Sequence, residues 1–266
     1  GGRGKMSAAN QMGVLLGPVM AATVAFGYLT PLYIQSVLTL TAAVLVYYFL
    51  RDSRPQSALD KAKQKVVSGG RKLRMLDPRY RFILPVGFLL YMMQGMAQQT
   101  LGFYCEDVVG LDRIASVRYY AFAMMVSSIA MLFSQLVIVQ RARMAPATLV
   151  KVGLPFCALG YLVIAASTGL LGIFGGMALF GVGVGMAMPG YSSFASLTVD
   201  ADEQGNLAGI TSTIAGMGFV VGPLLGGYVY NYSANAPFAI AGICLSLLAL
   251  YVMRHRRFVP ALESLR

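Results

Sequence analysis

Residues 218–227 read GFVVGPLLGG and residues 13–22 read GVLLGPVMAA, which is one pattern of small residues around a central proline. Small residues four positions apart line one face of a helix and let a neighbouring backbone approach closely. Proline removes one helical hydrogen bond and permits a bend. We therefore predict a motif for helix packing and conformational change, or for packing alone, whose residues are Gly13, Gly17, Pro18, Gly218, Gly222, Pro223, Gly226 and Gly227.

The composition indicates an all-α protein whose solvent is the lipid bilayer. Hydrophobic residues make up 57% of the 266 residues and charged residues only 12%, whereas soluble domains carry roughly 25% charge. A helix that spans the bilayer needs about 20 largely apolar residues. Polar or helix-breaking turns divide the chain into eight predicted membrane-spanning helices, at 7–29, 31–50, 82–104, 115–140, 146–167, 170–193, 206–230 and 235–253.

The basic residues predict the orientation of these helices. If the N-terminus lies in the cytoplasm and the helices alternate, all Lys and Arg residues except Arg113 and Arg118 fall on the cytoplasmic side. We therefore expect a multi-pass protein of the plasma or inner membrane, with the linker and the C-terminus in the cytoplasm. The formal charge of +11 then lies beside anionic inner-leaflet lipid, and it does not call for a nucleic-acid partner.

One long polar segment, residues 51–81, divides the predicted helices into two before it and six after it. It holds ten basic and three acidic residues, which is typical of a solvated linker. An amphipathic helix that contacts lipid is the alternative. The predicted organisation is two helices of an N-terminal bundle in 1–50, a cytoplasmic linker in 51–81, and a six-helix C-terminal bundle with a short tail in 82–266.

The residues that enzymes and metal sites need are scarce. Cys105, Cys157 and Cys244 are scattered and form no CxxC pair, so we interpret them as small apolar fillers. His255, the single histidine, lies in a basic tail. A metal site or a Ser-His-Asp triad has too few residues to form, and we predict neither an enzyme nor a bound cofactor.

Residues 13–22 and 218–227 both resemble the GxxxGPxxGG motif in the fifth helix of the antiporter branches of the major facilitator superfamily. The offset of 205 residues between them fits duplicated halves, a known transporter construction. Four other segments are also similar to the family. They are the short leads before the two copies, 3–6 and 204–207, and the segments 101–111 and 181–190. The resemblance implies helices five to twelve of an expected twelve, and a drug:proton antiporter.

The chain departs from the family pattern in two places. Ala21 and Ala22 replace the last glycines of the first motif, and residues 140–143 keep only the basic part of the corresponding family loop. The family's first four helices, which carry its usual gating and proton-coupling residues, have no counterpart in the chain. Together with the start at Gly1 rather than methionine, this leads us to expect a fragment or a truncated gene product.

Neutral polar residues at membrane depth are the candidates for a substrate cavity. Tyr91, Gln94 and Gln98 share one helix face by their spacing. An amide in hydrocarbon is costly when it has no partner, so this face should point to a cavity or to another helix. The predicted cavity set is Tyr91, Gln94, Gln98, Tyr120, Met124, Ser128, Asn10 and Gln11. All ten acidic residues map to loops, helix ends or the tail, so no proton carrier is visible at mid-membrane.

The function that these observations favour is secondary active transport of a small organic solute by alternating access, as a proton-coupled exporter of the multidrug type. The partners would be the lipid bilayer, the solute and protons. An uptake permease for a metabolite and a truncated protein that does not transport remain as alternatives. Sixteen methionines and fifteen tyrosines would suit varied hydrophobic or aromatic substrates, but core filling is the simpler explanation for them.

Overall fold

The computed structural model describes residues 30–49, 77–142, 144–200 and 203–255, and within these ranges every regular element is a helix. We number the long helices in chain order: α1 Thr30–Phe49, α2 Leu84–Asp107, α3 Arg113–Phe133, α4 Pro146–Ala165, α5 Leu170–Ser196, α6 Gln204–Tyr230 and α7 Ala236–Arg254. A π-helical segment, Ser134–Val139, continues α3, and Gln140–Ala142 end it.

Local sequence explains where several helices begin. The Asp112 carboxylate accepts a hydrogen bond of 2.7 Å from the backbone N–H of Ala115, which caps the start of α3. Each of α2, α4 and α7 has one proline at its first or second position, where a missing N–H costs nothing. Gly110, in the turn before Asp112, has φ 75°, a conformation that glycine adopts without strain.

Seven of the eight predicted spans coincide with these helices to within a few residues, and segment 7–29 lies outside the described residues. Among the described helices, five are long and apolar enough to cross a membrane, namely α3 with its π-helical segment, α4, α5, α6 and α7. In α1 the apolar stretch Leu32–Tyr48 is shorter. α2 is not among the five, because three amides interrupt its apolar sequence.

Helices α2 to α7 form one bundle, in which the largest contacts join α4 with α5 and α2 with α6. We call the end of the bundle that carries residues 77–83 the linker end. The starts of α2, α4 and α6 and the ends of α3, α5 and α7 lie there, because successive helices are antiparallel. At the opposite end, the buried hydroxyl of Tyr104 donates to the carbonyl oxygens of Ile164 and Ser167, at 3.1 and 2.5 Å.

Glycines set the distance between α4 and α5. A Cβ at Gly183 would lie 2.5 Å from the backbone nitrogen of Cys157 and 2.7 Å from the carbonyl oxygen of Gly153. Two helical turns away, a Cβ at Gly160 would lie 2.5 Å from the carbonyl oxygen of Gly176. Real Cβ atoms do not approach backbone atoms this closely, so the two helices cross at a distance that only glycine allows.

The second glycine motif packs α6 on α2. A Cβ at Gly218, Gly222 or Gly226 would meet backbone atoms of the α2 segment Phe88–Met96. Pro223 lies on the same side, and its Cδ is 3.2 Å from the Cβ position of Gly95. Gly227 differs from the prediction, because no atom of the described residues lies within 4 Å of a Cβ there. One residue past Gly226, it points about 100° away from the contact.

Candidate functional site

The amides of α2 lie on one side of the helix at its mid-length. Tyr91, Gln94 and Gln98 are half-buried, whereas the residues between them, Met92, Met93, Met96 and Ala97, are buried in the core. The neighbouring Gln99 is exposed and points elsewhere. The spacing of three and four residues therefore produces a continuous polar stripe on an otherwise apolar helix.

Helix α3 continues this stripe. Tyr120, Met124 and Ser128 are half-buried and recur every four residues. The ring of Tyr120 lies 4.0 Å from the Cβ position of Gly102, one turn beyond Gln98. The Ser128 hydroxyl donates to the carbonyl oxygen of Met124 at 2.9 Å. We call these six residues, Tyr91, Gln94, Gln98, Tyr120, Met124 and Ser128, the polar face.

At the linker-end part of the polar face, Tyr91 lies beside two further aromatic rings. The Tyr91 ring lies 6.5 Å from the Tyr191 ring of α5, edge to face, and 5.4 Å from the Phe219 ring of α6, tilted by 55°. Tyr191 is 1% exposed and Phe219 is 43% exposed. The absence of a side chain at Gly87 leaves the space that the Tyr191 phenol fills. Three helices thus contribute one ring each to a single cluster.

The prediction named neither Tyr191 nor Phe219 as a site residue. Two signals were available, since Tyr191 is the single tyrosine in α5 and Phe219 follows the first glycine of the second motif. Five of the predicted cavity and motif residues fall outside the described residues, namely Asn10, Gln11, Gly13, Gly17 and Pro18.

The polar face carries no formal charge. In α2 to α7, every Asp, Glu, Lys and Arg residue falls within the first six or last two positions of its helix: Glu106, Asp107, Arg113, Arg118, Lys151 and Arg254. Within the described ranges, no three His, Cys, Asp or Glu side chains are grouped in a way that could hold a metal ion. The face can therefore act through hydrogen bonds and ring contacts.

Charged residues meet at the linker end instead. The Arg79 guanidinium donates to both carboxylate oxygens of Glu203, at 2.7 and 3.1 Å, and to Asp77 at 3.1 to 3.3 Å. The hydrogen bond to Glu203 raises the pKa of Arg79 further above its already high value, and the hydrogen bond to Asp77 has the second-largest effect in the same direction. This bidentate pair joins the turn before α2 to the start of α6. At the opposite end of the same helices, the Tyr230 hydroxyl donates to Asp107 at 2.6 Å.

A second contact of the linker end fixes the turn before α2 on two other helices. The ring of Phe82 stacks on His255, which follows α7, at a centroid distance of 5.3 Å. The same ring meets Phe194 of α5 edge to face at 5.9 Å. With the ion pair to Glu203, the turn therefore contacts the ends of three helices.

Comparison with known proteins agrees with this architecture. The family described as Major Facilitator Superfamily matches residues 3–216. Multidrug resistance protein 2 of Bacillus subtilis (strain 168) is 24% identical over 258 residues, which cover 91% of this chain and 61% of that protein. The chain thus spans less than two thirds of the length of this relative. Because the family match covers most of the chain, the protein is an integral multi-pass membrane protein that belongs to the Major Facilitator Superfamily, a family of transporters and not of enzymes.

Proposed function

We propose that the protein is a secondary transporter that exports a small organic solute by alternating access and couples this movement to protons. In such carriers two bundles rock about a site near the middle of the membrane. The observation that carries the proposal is the position of the polar face, half-buried at the mid-length of α2 and α3 within an apolar bundle. Polar groups at that depth are tolerated where they face a cavity or other protein.

The proposal also assigns each part of the chain to one of the two helical bundles or to the linker between them. Residues 1–50 supply two helices of a first bundle, 51–81 a cytoplasmic linker, and 82–266 a second bundle with a cytoplasmic tail. With the predicted helix at 7–29, the chain would then contain eight of twelve family helices. The relative's name, a multidrug resistance protein, supports export over uptake.

The proposal assigns solute contacts, and not the proton site, to helices α2 to α7. Their acidic residues, Glu106 and Asp107, are in the last turn of α2. Proton carriers in transporters are ionisable groups inside the membrane. We therefore expect that neutralising Glu106 leaves coupling intact.

The test is export from cells that express the natural gene, measured with a panel of dyes, antibiotics and sugars. We expect faster efflux of several dyes or antibiotics than from cells without the gene, and loss of this difference when an ionophore collapses the proton gradient. The variant Glu106→Gln should retain the response to the ionophore. Uptake of one metabolite, with no efflux of any compound in the panel, would show that the proposed direction and solute class are wrong.

A further inference from the structure

Gln94 holds a polar atom that has no partner within the bundle. It is the eleventh of the 24 residues of α2, close to the helix midpoint. Its side-chain oxygen is buried, and no described residue donates a hydrogen bond to it. A buried acceptor without a partner costs free energy in the absence of a ligand. Such a group is retained more readily where a ligand completes it.

Gln94 as a whole is half-buried rather than enclosed, so part of the residue faces the open side of the polar face although its amide oxygen does not. A half-turn of the terminal amide exchanges its oxygen and nitrogen without moving the rest of the side chain. The acceptor can therefore turn toward the open side when a donor arrives there.

Flat aromatic surface lies one helical turn away from this acceptor. Tyr91, three residues before Gln94, packs against Phe219, and the Phe219 ring is 43% exposed. A ligand ring that stacks on Phe219 and Tyr91 would gain contact area and the favourable edge or face geometry of aromatic pairs. An acceptor beside a stacking surface selects an aromatic molecule that carries a donor.

The charge distribution restricts the ligand further. The Asp, Glu, Lys and Arg side chains of α2 to α7 are close to the helix ends, as described above, and none is at the depth of Gln94. A charged ligand would lose its hydration at this depth and would find no counter-charge from the bundle. A neutral ligand avoids that cost.

We infer that Gln94 is a specificity-determining residue, and that its amide oxygen accepts a hydrogen bond from an N–H or O–H group of a neutral aromatic solute stacked on Phe219 and Tyr91. This inference names the substrate class of the proposed transporter, and so it rests on the proposed function. Replacing the amide by an isosteric apolar side chain should remove the preference for donor-bearing molecules while leaving the stacking surface.

The experiment measures binding of two neutral probes to the chain in lipid nanodiscs by equilibrium dialysis, with empty nanodiscs correcting for partition into lipid. The probes are 4-nitroaniline, which has two N–H donors, and N,N-dimethyl-4-nitroaniline, which has none. The variant is Gln94→Met, an unbranched side chain of similar length without a carbonyl. Gln99→Met makes the same change in composition on the exposed side of α2, and Gln94→Glu retains acceptor oxygens.

We expect the ratio of the two dissociation constants to shift about tenfold toward the dimethyl probe in Gln94→Met, the size of one hydrogen bond. Gln99→Met and Gln94→Glu should keep the wild-type ratio. The ligand-free Gln94→Met protein should melt at or above the wild-type temperature, since an acceptor without a partner is removed. An unchanged ratio in Gln94→Met, or no binding of either probe to the wild type, would overturn the assignment.

The two proposals fail in different ways. If cells expressing the gene export no compound, but Gln94→Met still loses the probe preference, the transport proposal fails and the binding site stands. If export proceeds, and Gln94→Met exports donor-bearing and methylated compounds in the wild-type ratio, the transport proposal stands and the role of Gln94 is refuted.

Discussion

Replacing Gly222 with alanine should lower the stability of the bundle by about 2 kcal/mol, the usual size of an overpacking penalty. A Cβ at this position would strike the carbonyl oxygen of Met92 and lie 2.9 Å from the backbone nitrogen of Met96. Both atoms belong to the backbone of α2, so no side-chain rotation relieves the overlap. Helices α2 and α6 must separate, and they lose the van der Waals contact that holds membrane helices together.

Gly227→Ala is the matched control on the same helix. No atom of the described residues lies within 4 Å of a Cβ there, and alanine is favoured over glycine inside a helix by up to about 1 kcal/mol. The midpoint of unfolding in mixed micelles, followed by circular dichroism as the fraction of dodecyl sulfate rises, compares the two variants. Equal midpoints for Gly222→Ala and the wild type would contradict the tight contact.

Gly183→Ala should separate α4 from α5 and make the Cys157 thiol reactive. Cys157 is fully buried, and a Cβ at Gly183 would lie 2.6 Å from its Sγ atom and 2.5 Å from its backbone nitrogen. An overpacking cost near 2 kcal/mol raises the population of open states roughly thirtyfold. The rate of maleimide labelling should rise by a similar factor.

The labelling is measured with Cys157 as the single cysteine, after Cys105 and Cys244 are replaced by alanine. Gly175→Ala is the control, because nothing in the described part of the chain lies within 4 Å of a Cβ at that position of α5. Labelling of Cys157 should stay at the background rate in the control. A rate in Gly183→Ala no higher than in Gly175→Ala would show that α4 and α5 tolerate a methyl group at their crossing.

The helices were predictable from sequence because a span requires a long apolar run between polar turns, and that signal is local. Their ends were less accurate. α2 continues to Asp107 rather than residue 104, since Asp107 completes its last turn and bonds to Tyr230. α5 continues to Ser196, so Ser192 and Ser193 lie inside it. Short polar residues at a helix end leave the local signal ambiguous.

The site was only partly predictable for a different reason. Tyr91, Gln94 and Gln98 share a face by helical spacing, which a sequence shows directly. Tyr191 and Phe219 join them only because α5 and α6 pack beside α2, and a sequence does not state which helices are neighbours. The pairing of Gly153 with Gly183 has the same origin. Glycine spacing indicates a close approach, but the partner comes from the three-dimensional arrangement.

Helix α2 is the element on which the membrane architecture depends most, because it carries the polar face and its sequence is the least apolar of the bundle helices. Trypsin digestion of sealed, right-side-out and inverted vesicles tests its crossing, since residues 51–81 hold ten Lys and Arg residues, of which only Arg54 precedes a proline that blocks cleavage. If α2 to α7 all cross, six passes return the chain to one side, and segments 51–81 and 254–266 should be cut only in inverted vesicles. Cleavage of the two segments from opposite faces would contradict this architecture, because an odd number of helices would then cross between them.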